Sequence, residues 1–261
     1  MTERVETELS GGRAPERKPS GKPPEPLDDE QEQVEEALER RRGKLAFVAH
    51  EIRNPLSTAL WSAELLVRMP GAERSGPRGD KLAGMCLRSL ARVRLLVEDH
   101  FLCERLEISG IPIRAEPIPI AEVVQAAIGR RPADAGPCSA EVASALSAWA
   151  DLTLLGRSLD ALLFFAGRGG APVKVVAGKT GKYVSIRVDG APPVDGALRE
   201  PDRNTPSDTT GRGLALPTAR RIVEALGGSL SAEPTGFLMT LPLDEAGEDV
   251  SPDTRRSPSG D

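Results

Sequence analysis

The stretch Phe47-Val48-Ala49-His50-Glu51-Ile52-Arg53-Asn54-Pro55-Leu56-Ser57 decides how this chain is read. Val48, Ile52 and Leu56 recur every fourth residue, the spacing of one helical face, while His50, Arg53, Asn54 and Ser57 are polar. A neutral imidazole at an exposed helix position is a nucleophile near pH 7. The adjacent Glu51 can hold the proton of the other ring nitrogen as attack proceeds. Asn54, four residues beyond His50, lies over the same face, where its amide can orient a water or an incoming group. Pro55 removes one backbone hydrogen bond and is expected to bend or loosen the helix just after the histidine.

The same periodicity runs outward. From about Asp28, Val34, Leu38, Leu45, Val48, Ile52, Leu56, Leu60, Ala63 and Val67 fall at three-, four- and seven-residue intervals. This predicts one long amphipathic helix, stopped at Met69-Pro70-Gly71. A polar loop is expected to about Gly79, then a second helix through Leu82, Cys86, Leu90, Val93, Val97, Phe101 and Leu106. Two long helices with a short loop make an antiparallel hairpin. Its apolar stripe is wider than one partner helix covers, so a homodimer forming a four-helix bundle is expected. His100, the other histidine, reads as an ordinary helix residue.

After residue 110 the texture changes. Ala121 to Ile128, Leu152 to Ala166 and Pro217 to Leu226 read as helices, the last ended by Gly227-Gly228. Val173 to Val176, Tyr183 to Val188, Ser229 to Ala232 and Phe237 to Leu241 read as strands, with Ala177 to Lys182 as a turn region. The fold class is therefore an α helical hairpin forming a dimeric four-helix bundle, followed by an α+β two-layer sandwich with helices on one face of a mixed sheet.

Composition narrows the function. Residues 1–27 carry five prolines and almost no large apolar side chains, and residues 244–261 are acidic, then rich in Ser, Pro and Arg; both are expected to be disordered tails. Between them lie a hairpin, 28–109, and a sandwich, 110–243. The net charge of −5 argues against a nucleic-acid binder or an anionic-membrane coat. Neither an 18-residue apolar run nor a signal-peptide pattern is present, so no membrane partner is expected. Cys86, Cys103 and Cys138 are odd in number and far apart, which fits neither a disulfide framework nor a zinc spacing and suits a cytoplasmic location.

A second chemical motif is Gly211-Arg212-Gly213-Leu214-Ala215-Leu216, directly before a helix. Glycines let backbone approach a phosphate, and a helix N-terminus offers unpaired N–H groups. Upstream, Val188-Asp189-Gly190-Ala191-Pro192-Pro193 is a strand end carrying Asp189, a hydrogen-bond acceptor suited to an adenine amino group.

Taken together, these residues resemble the two-component sensor histidine kinase family: a dimerisation and histidine-phosphotransfer hairpin plus a GHKL-type, histidine kinase-like ATPase fold. Residues 47–57 resemble its H-box, with Arg105-Leu106-Glu107 at the usual end of the second helix. Residues 211–228 and Gly236-Phe237 to Leu241-Pro242 resemble its G2 box and closing strands. The resemblance implies that His50 is the phosphoacceptor, Glu51 the acid assisting it, and Asn54 the residue used in dephosphorylating a partner. It implies that Asp189, Gly211, Gly213 and Leu214 contact ATP held with Mg²⁺.

The family pattern is altered at three places. Ala191 and Pro193 stand where the G1 box has glycines. Ala161 and Phe165 stand where the N-box has asparagines, the second of which gives Mg²⁺ an oxygen. Leu198 to Asp202 resembles an F-box without its phenylalanines, followed by a short lid, Asn204 to Thr210.

Two functions are expected in consequence. One is a soluble histidine kinase that phosphorylates His50 from ATP and passes the phosphoryl group to an aspartate of a response-regulator receiver domain. The other is a pseudokinase acting as histidine phosphotransfer protein, response-regulator phosphatase or scaffold without ATP. No ligand-binding input segment is legible before the hairpin, so a signal is expected through an upstream sensor partner.

Overall fold

In the computed structural model, residues 29–244 are described, apart from 109, 111, 203, 207 and 209; the two expected tails lie essentially outside them. The chain divides into two units, Met1–Arg41 and Arg42–Asp261. The described residues of the first are helical throughout and begin helix α1, Asp29–Arg68. The second unit carries the rest of α1 and every later element.

Helix α1 runs through Pro55 without interruption, because a proline's missing N–H removes one rung while the flanking turns keep theirs. Helix α3, Pro77–Ile108, returns antiparallel to it: Lys44 meets Glu104 and Glu107, and Asn54 and Thr58 share a cavity with Ser89 and Arg92. The expected polar loop is shorter than the sequence suggested, since a single-turn helix α2, Gly71–Arg74, forms within it and α3 starts at Pro77. The Arg74 guanidinium explains that turn, donating to the carbonyls of Val67 and Met69 at the end of α1 (3.1 and 2.9 Å). Leu56, Leu60, Trp61, Val67, Leu87, Leu90 and Phe101 are exposed along the hairpin.

The sandwich begins with β1, Glu116–Pro119, and α4, Ile120–Gly129. Strands β2, Cys138–Val142, and β3, Ser147–Ala150, precede α5, Leu152–Ala166. Then come β4, Val173–Thr180, β5, Tyr183–Asp189, α6, Ala215–Ala225, β6, Ser229–Glu233, and β7, Gly236–Pro242. The five-stranded sheet has the order β2-β4-β5-β7-β6, with β2 parallel to β4 and the rest antiparallel; β1 and β3 pair separately. This is the mixed sheet expected.

The expected turn at Ala177 to Lys182 shrinks to Gly181-Lys182, because Ala177 to Thr180 continue pairing with Ile186 to Tyr183. Gly181 at φ +60° supplies the positive φ that a two-residue hairpin loop requires at its first position. Three strands carry no sequence signal of their own. Proline-flanked Glu116–Pro119 and the four residues Ser147–Ala150 are too short to set a period, and β2 is a half-buried edge strand.

Strand alternation turns Val175, Val184, Ile186, Val188, Phe237, Met239 and Leu241 towards the helices. There they meet Leu155, Leu159 and Leu162 of α5 and Ile222 and Val223 of α6, all essentially buried. Asp151 starts α5, its Oδ1 accepting from the N–H groups of Thr153 and Leu154 (3.0 and 3.1 Å). Gly227, at φ +78°, ends α6: its N–H reaches the Glu224 carbonyl, and that of Gly228 the Val223 carbonyl.

Candidate functional site

His50 stands exposed on α1, and Asn54 lies exposed one turn on. Glu51, one position round the helix, is only 3% exposed. Its Oε2 accepts a hydrogen bond from the Asp208 backbone N–H at 3.1 Å, which ties the carboxylate to the loop before α6. Its Oε1 is buried without a hydrogen-bond partner among the described residues. Glu51, Asn54, Thr58, Ser89, Arg92, Asp208 and Gly211 enclose a cavity of about 190 Å³ at this point.

The loop is braced for that contact. Asp208 accepts from the N–H and hydroxyl of Thr210 (3.0 and 2.6 Å) and from the N–H of Arg212 (2.7 Å). Gly211 has φ +73°, and a Cβ there would lie 2.8 Å from the Arg92 Cβ; one on Gly213 would lie 2.9 Å from the Phe47 Cζ. Leu214, 1% exposed, packs with Phe47 and Val48. The close approach that glycine allows at 211 and 213 is thus to the hairpin. The hairpin occupies the near side of Gly211, Gly213 and Leu214, while Thr210 and Arg212 of the same loop line a cavity on the sandwich side.

Asp189 also differs from expectation. It pairs in register with Lys174 and lies with Ser185, Arg187 and Leu238 on the sheet face away from the helices, where Thr235 Oγ1 donates to its Oδ1 at 2.7 Å. The physical reason is strand parity: Val188 takes the inward position, so its neighbour points outward. The residue that meets the end of α5 is Gly190, where a Cβ would fall 2.4 Å from the Ala166 carbonyl oxygen. Ala191 N–H also donates to that oxygen, at 2.6 Å.

Phe165 is 9% exposed and belongs to the core, its ring 5.2 Å from that of Phe164 and from the Arg168 guanidinium. It offers no oxygen to a cation. Asp160 is forked by Arg130 (2.9 Å). The residues present therefore do not fit Mg²⁺-ATP held in the way the resemblance implies. Position 165 has no side-chain oxygen for a metal, and Asp189 lies on the sheet face away from the helices.

What the sequence did not reveal is a charge cluster around the buried Lys44 that joins the hairpin to the sandwich. Lys44 of α1, 2% exposed, lies 3.0 Å from Glu104 and from Glu107 of α3, 3.7 Å from Cys103 Sγ and 3.9 Å from Glu200 of the loop before α6. Arg221 of α6 closes the cluster at 2.8 Å from Glu200 and 3.2 Å from Glu107. Cys103, Glu107 and Glu200 could together hold a metal ion, but the Lys44 ammonium takes the cation's place among them. Further along α3, Asp99 accepts from Arg157 of α5 at 2.6 Å, and Thr218 of α6 donates to the Asp99 carbonyl. Only the three-dimensional meeting of distant segments makes this cluster visible, since each residue alone reads as a solvated helix charge.

Burial disfavours the charged form of Lys44, yet its contacts with Glu104, Cys103, Glu107 and Glu200 outweigh that and raise it to about 12. Burial alone would raise Glu200 as well, but hydrogen bonds from Glu107 and Arg221 and the charge of Lys44 hold it at about 2. Burial pushes Glu107 up, reinforced by its hydrogen bond with Glu200. The Cys103 thiol is pushed up by burial to about 12. Asp99 is raised by burial, against the pull of Arg157.

A carboxylate with a depressed folded value contributes stability above its unfolded value of 4.5, which is lost as pH falls towards 2. The stability advantage of the native chain over Glu200→Gln should accordingly shrink as pH drops from about 5 to about 2.5 in denaturant titrations. A constant advantage across that window would mean that Glu200 acts through packing alone.

No family model matches the chain. Solved structures do resemble it. One is the Acinetobacter baumannii histidine kinase AdeS, with a TM-score of 0.59 at 17% identity over 75% of this chain and 98% of that one. Another is full-length ShkA in complex with AMPPNP, with a TM-score of 0.53 at 20% identity over 76% of this chain. The chain spans 45% of the length of ShkA. At these identities the likeness is one of fold, and the helical hairpin followed by a mixed-sheet sandwich gives this chain the fold of the sensor histidine kinases.

Proposed function

We propose that this chain is a two-component phosphotransfer protein whose His50 exchanges a phosphoryl group with an aspartate of a response-regulator receiver domain, without ATP as the donor. The observation that carries this reading is the contrast between an exposed His50 with Asn54 on its face and a sandwich whose residues do not fit Mg²⁺-ATP.

In the forward step a ring nitrogen of neutral His50 attacks the phosphorus of the receiver's aspartyl phosphate. The N–P bond forms, the P–O bond to the carboxylate breaks, and aspartate leaves as its anion. The positive charge stays on the imidazole until the other ring nitrogen gives its proton to water. The reverse step returns the phosphoryl group to a second aspartate. Asn54, lying over the same helix face, is suited to orient a water at a bound receiver, which would make the chain a phosphatase as well. Two copies pair through the exposed apolar side chains of α1 and α3, among them Leu56, Leu60, Trp61 and Leu90, and so build a four-helix bundle. The three unpaired thiols suit a reducing, cytoplasmic setting.

The second reading is the ATP-dependent kinase, favoured by the likeness to histidine kinases, one of them solved with AMPPNP. One labelling experiment separates the two. Purified chain is given either γ-labelled ATP with Mg²⁺ or a receiver domain carrying labelled aspartyl phosphate, with His50→Ala as control. Label is expected from the receiver only, and to vanish in the control. His50-dependent label from ATP would instead establish the kinase.

A further inference from the structure

Between the hairpin and the loop before α6 lies the cavity of about 190 Å³ beside Glu51. Its polar lining divides in two. The Thr58 hydroxyl is taken up by the Asn54 carbonyl (3.1 Å), and the Asp208 carboxylate by Thr210 and the N–H of Arg212. Four other groups line the same space unused: Glu51 Oε1, the Asn54 amide, the Ser89 hydroxyl and the Arg92 guanidinium make no hydrogen bond or ion pair among the described residues.

Glu51 is 3% exposed and Ser89 6%, so neither side chain finds its missing partner in bulk water. A buried carboxylate oxygen without a donor is costly, and native structures seldom leave one unless something else fills the place. Arg92 carries the opposite charge on the wall of the same cavity, yet the two side chains form no ion pair. They are kept apart across a space that, at about 30 Å³ per water, takes a ligand of roughly six non-hydrogen atoms. A molecule that satisfies both brings a cationic donor to Glu51 and an anionic acceptor to Arg92 and Ser89. A small pocket with a few convergent polar groups of this kind fixes the orientation of its ligand.

We infer that this cavity binds a small zwitterion, a free α-amino acid with a side chain no larger than that of serine. Its ammonium group donates to Glu51 Oε1, its carboxylate accepts from the Arg92 guanidinium and the Ser89 hydroxyl, and the Asn54 amide serves either end. Glu51 and Asn54 belong to α1, Ser89 and Arg92 to α3, and Asp208 and Gly211 to the loop before α6. The bound ligand therefore fastens the sandwich to the hairpin at the residue next to His50.

The test is calorimetric titration of the full chain with glycine, L-alanine and L-serine, and with acetate and ethylamine as the separate halves of the ligand. At least one amino acid is expected to bind, about tenfold or more tighter than either half, since one molecule then meets both charges. Arg92→Gln is expected to weaken that binding about tenfold, the value of one charge-assisted contact. Ser89→Ala, which removes only a hydroxyl, is expected to weaken it less and serves as a second variant should the first lose its circular-dichroism melt. Arg94→Gln, two residues along α3 and 73% exposed, leaves the affinity unchanged. Neither heat nor a rise in melting temperature with any of the three amino acids would overturn the inference. So would acetate or ethylamine binding as tightly as the amino acid, unchanged affinity in both Arg92→Gln and Ser89→Ala, or equal weakening by Arg94→Gln. The labelling of His50 from a receiver domain is a separate measurement, so either proposal can fail alone.

Discussion

Lys44→Met is expected to destabilise the chain by about 3–5 kcal/mol, the usual cost of stranding buried charges by removing one partner. The methionine fills nearly the same volume, so the loss reports the charge rather than a cavity. In the native chain the ammonium sits 3.0 Å from Glu104 and from Glu107 and 3.9 Å from Glu200. Without it, Arg221 still faces Glu107 and Glu200, at 3.2 and 2.8 Å. At roughly 2–4 °C per kcal/mol for a chain of this size, the melting temperature should fall by about 10 °C. Adding Glu107→Gln to Lys44→Met should recover part of the loss, because it removes one of the stranded charges. A single-variant loss below about 1 kcal/mol would mean that water reaches the cluster and the pairing is no stronger than a surface salt bridge.

Phe165→Asn is expected to cost about 3–4 kcal/mol without creating a nucleotide site. The loss combines that of a large core side chain with the burial of an amide among Leu162, Ala166 and their neighbours. The substitution restores the residue type that the kinase family uses to hold Mg²⁺, so the simplest view of the sequence anticipates a gain of ATP binding. The structure leads to the opposite expectation. Asp189 still points away from the helices, Gly190 still abuts the Ala166 carbonyl, and Gly213 still meets Phe47. Thermal melts and ATP titrations with and without Mg²⁺ check both halves. An unchanged melt together with new Mg²⁺-dependent binding would show that Phe165 alone closes the site.

Much of the fold was legible because its signals are local. The three- and four-residue spacing of apolar side chains located α1 and α3. The apolar run Leu152 to Ala166 located α5, and Gly227-Gly228 marked the end of α6. The β1–β3 pair and β2 were not legible, since strands of four or five residues flanked by proline or lying at an edge carry too little periodicity. At the candidate site, His50 and Asn54 could be placed from helix geometry alone. The burial of Glu51 could not, because the Asp208 N–H that holds it is 157 residues away.

By itself, the sequence determined the helical hairpin, the helix-backed mixed sheet, the exposed histidine, and the loss of an oxygen donor at Phe165. Each depends on residue type and spacing over a few turns or one strand. Only the tertiary structure decided which way Asp189 points, what Gly211 and Gly213 press against, and that Lys44, Cys103, Glu107, Glu200 and Arg221 form one cluster. Strand parity is set by which residue the core takes inward, and a buried charge is tolerated only where distant segments converge to neutralise it.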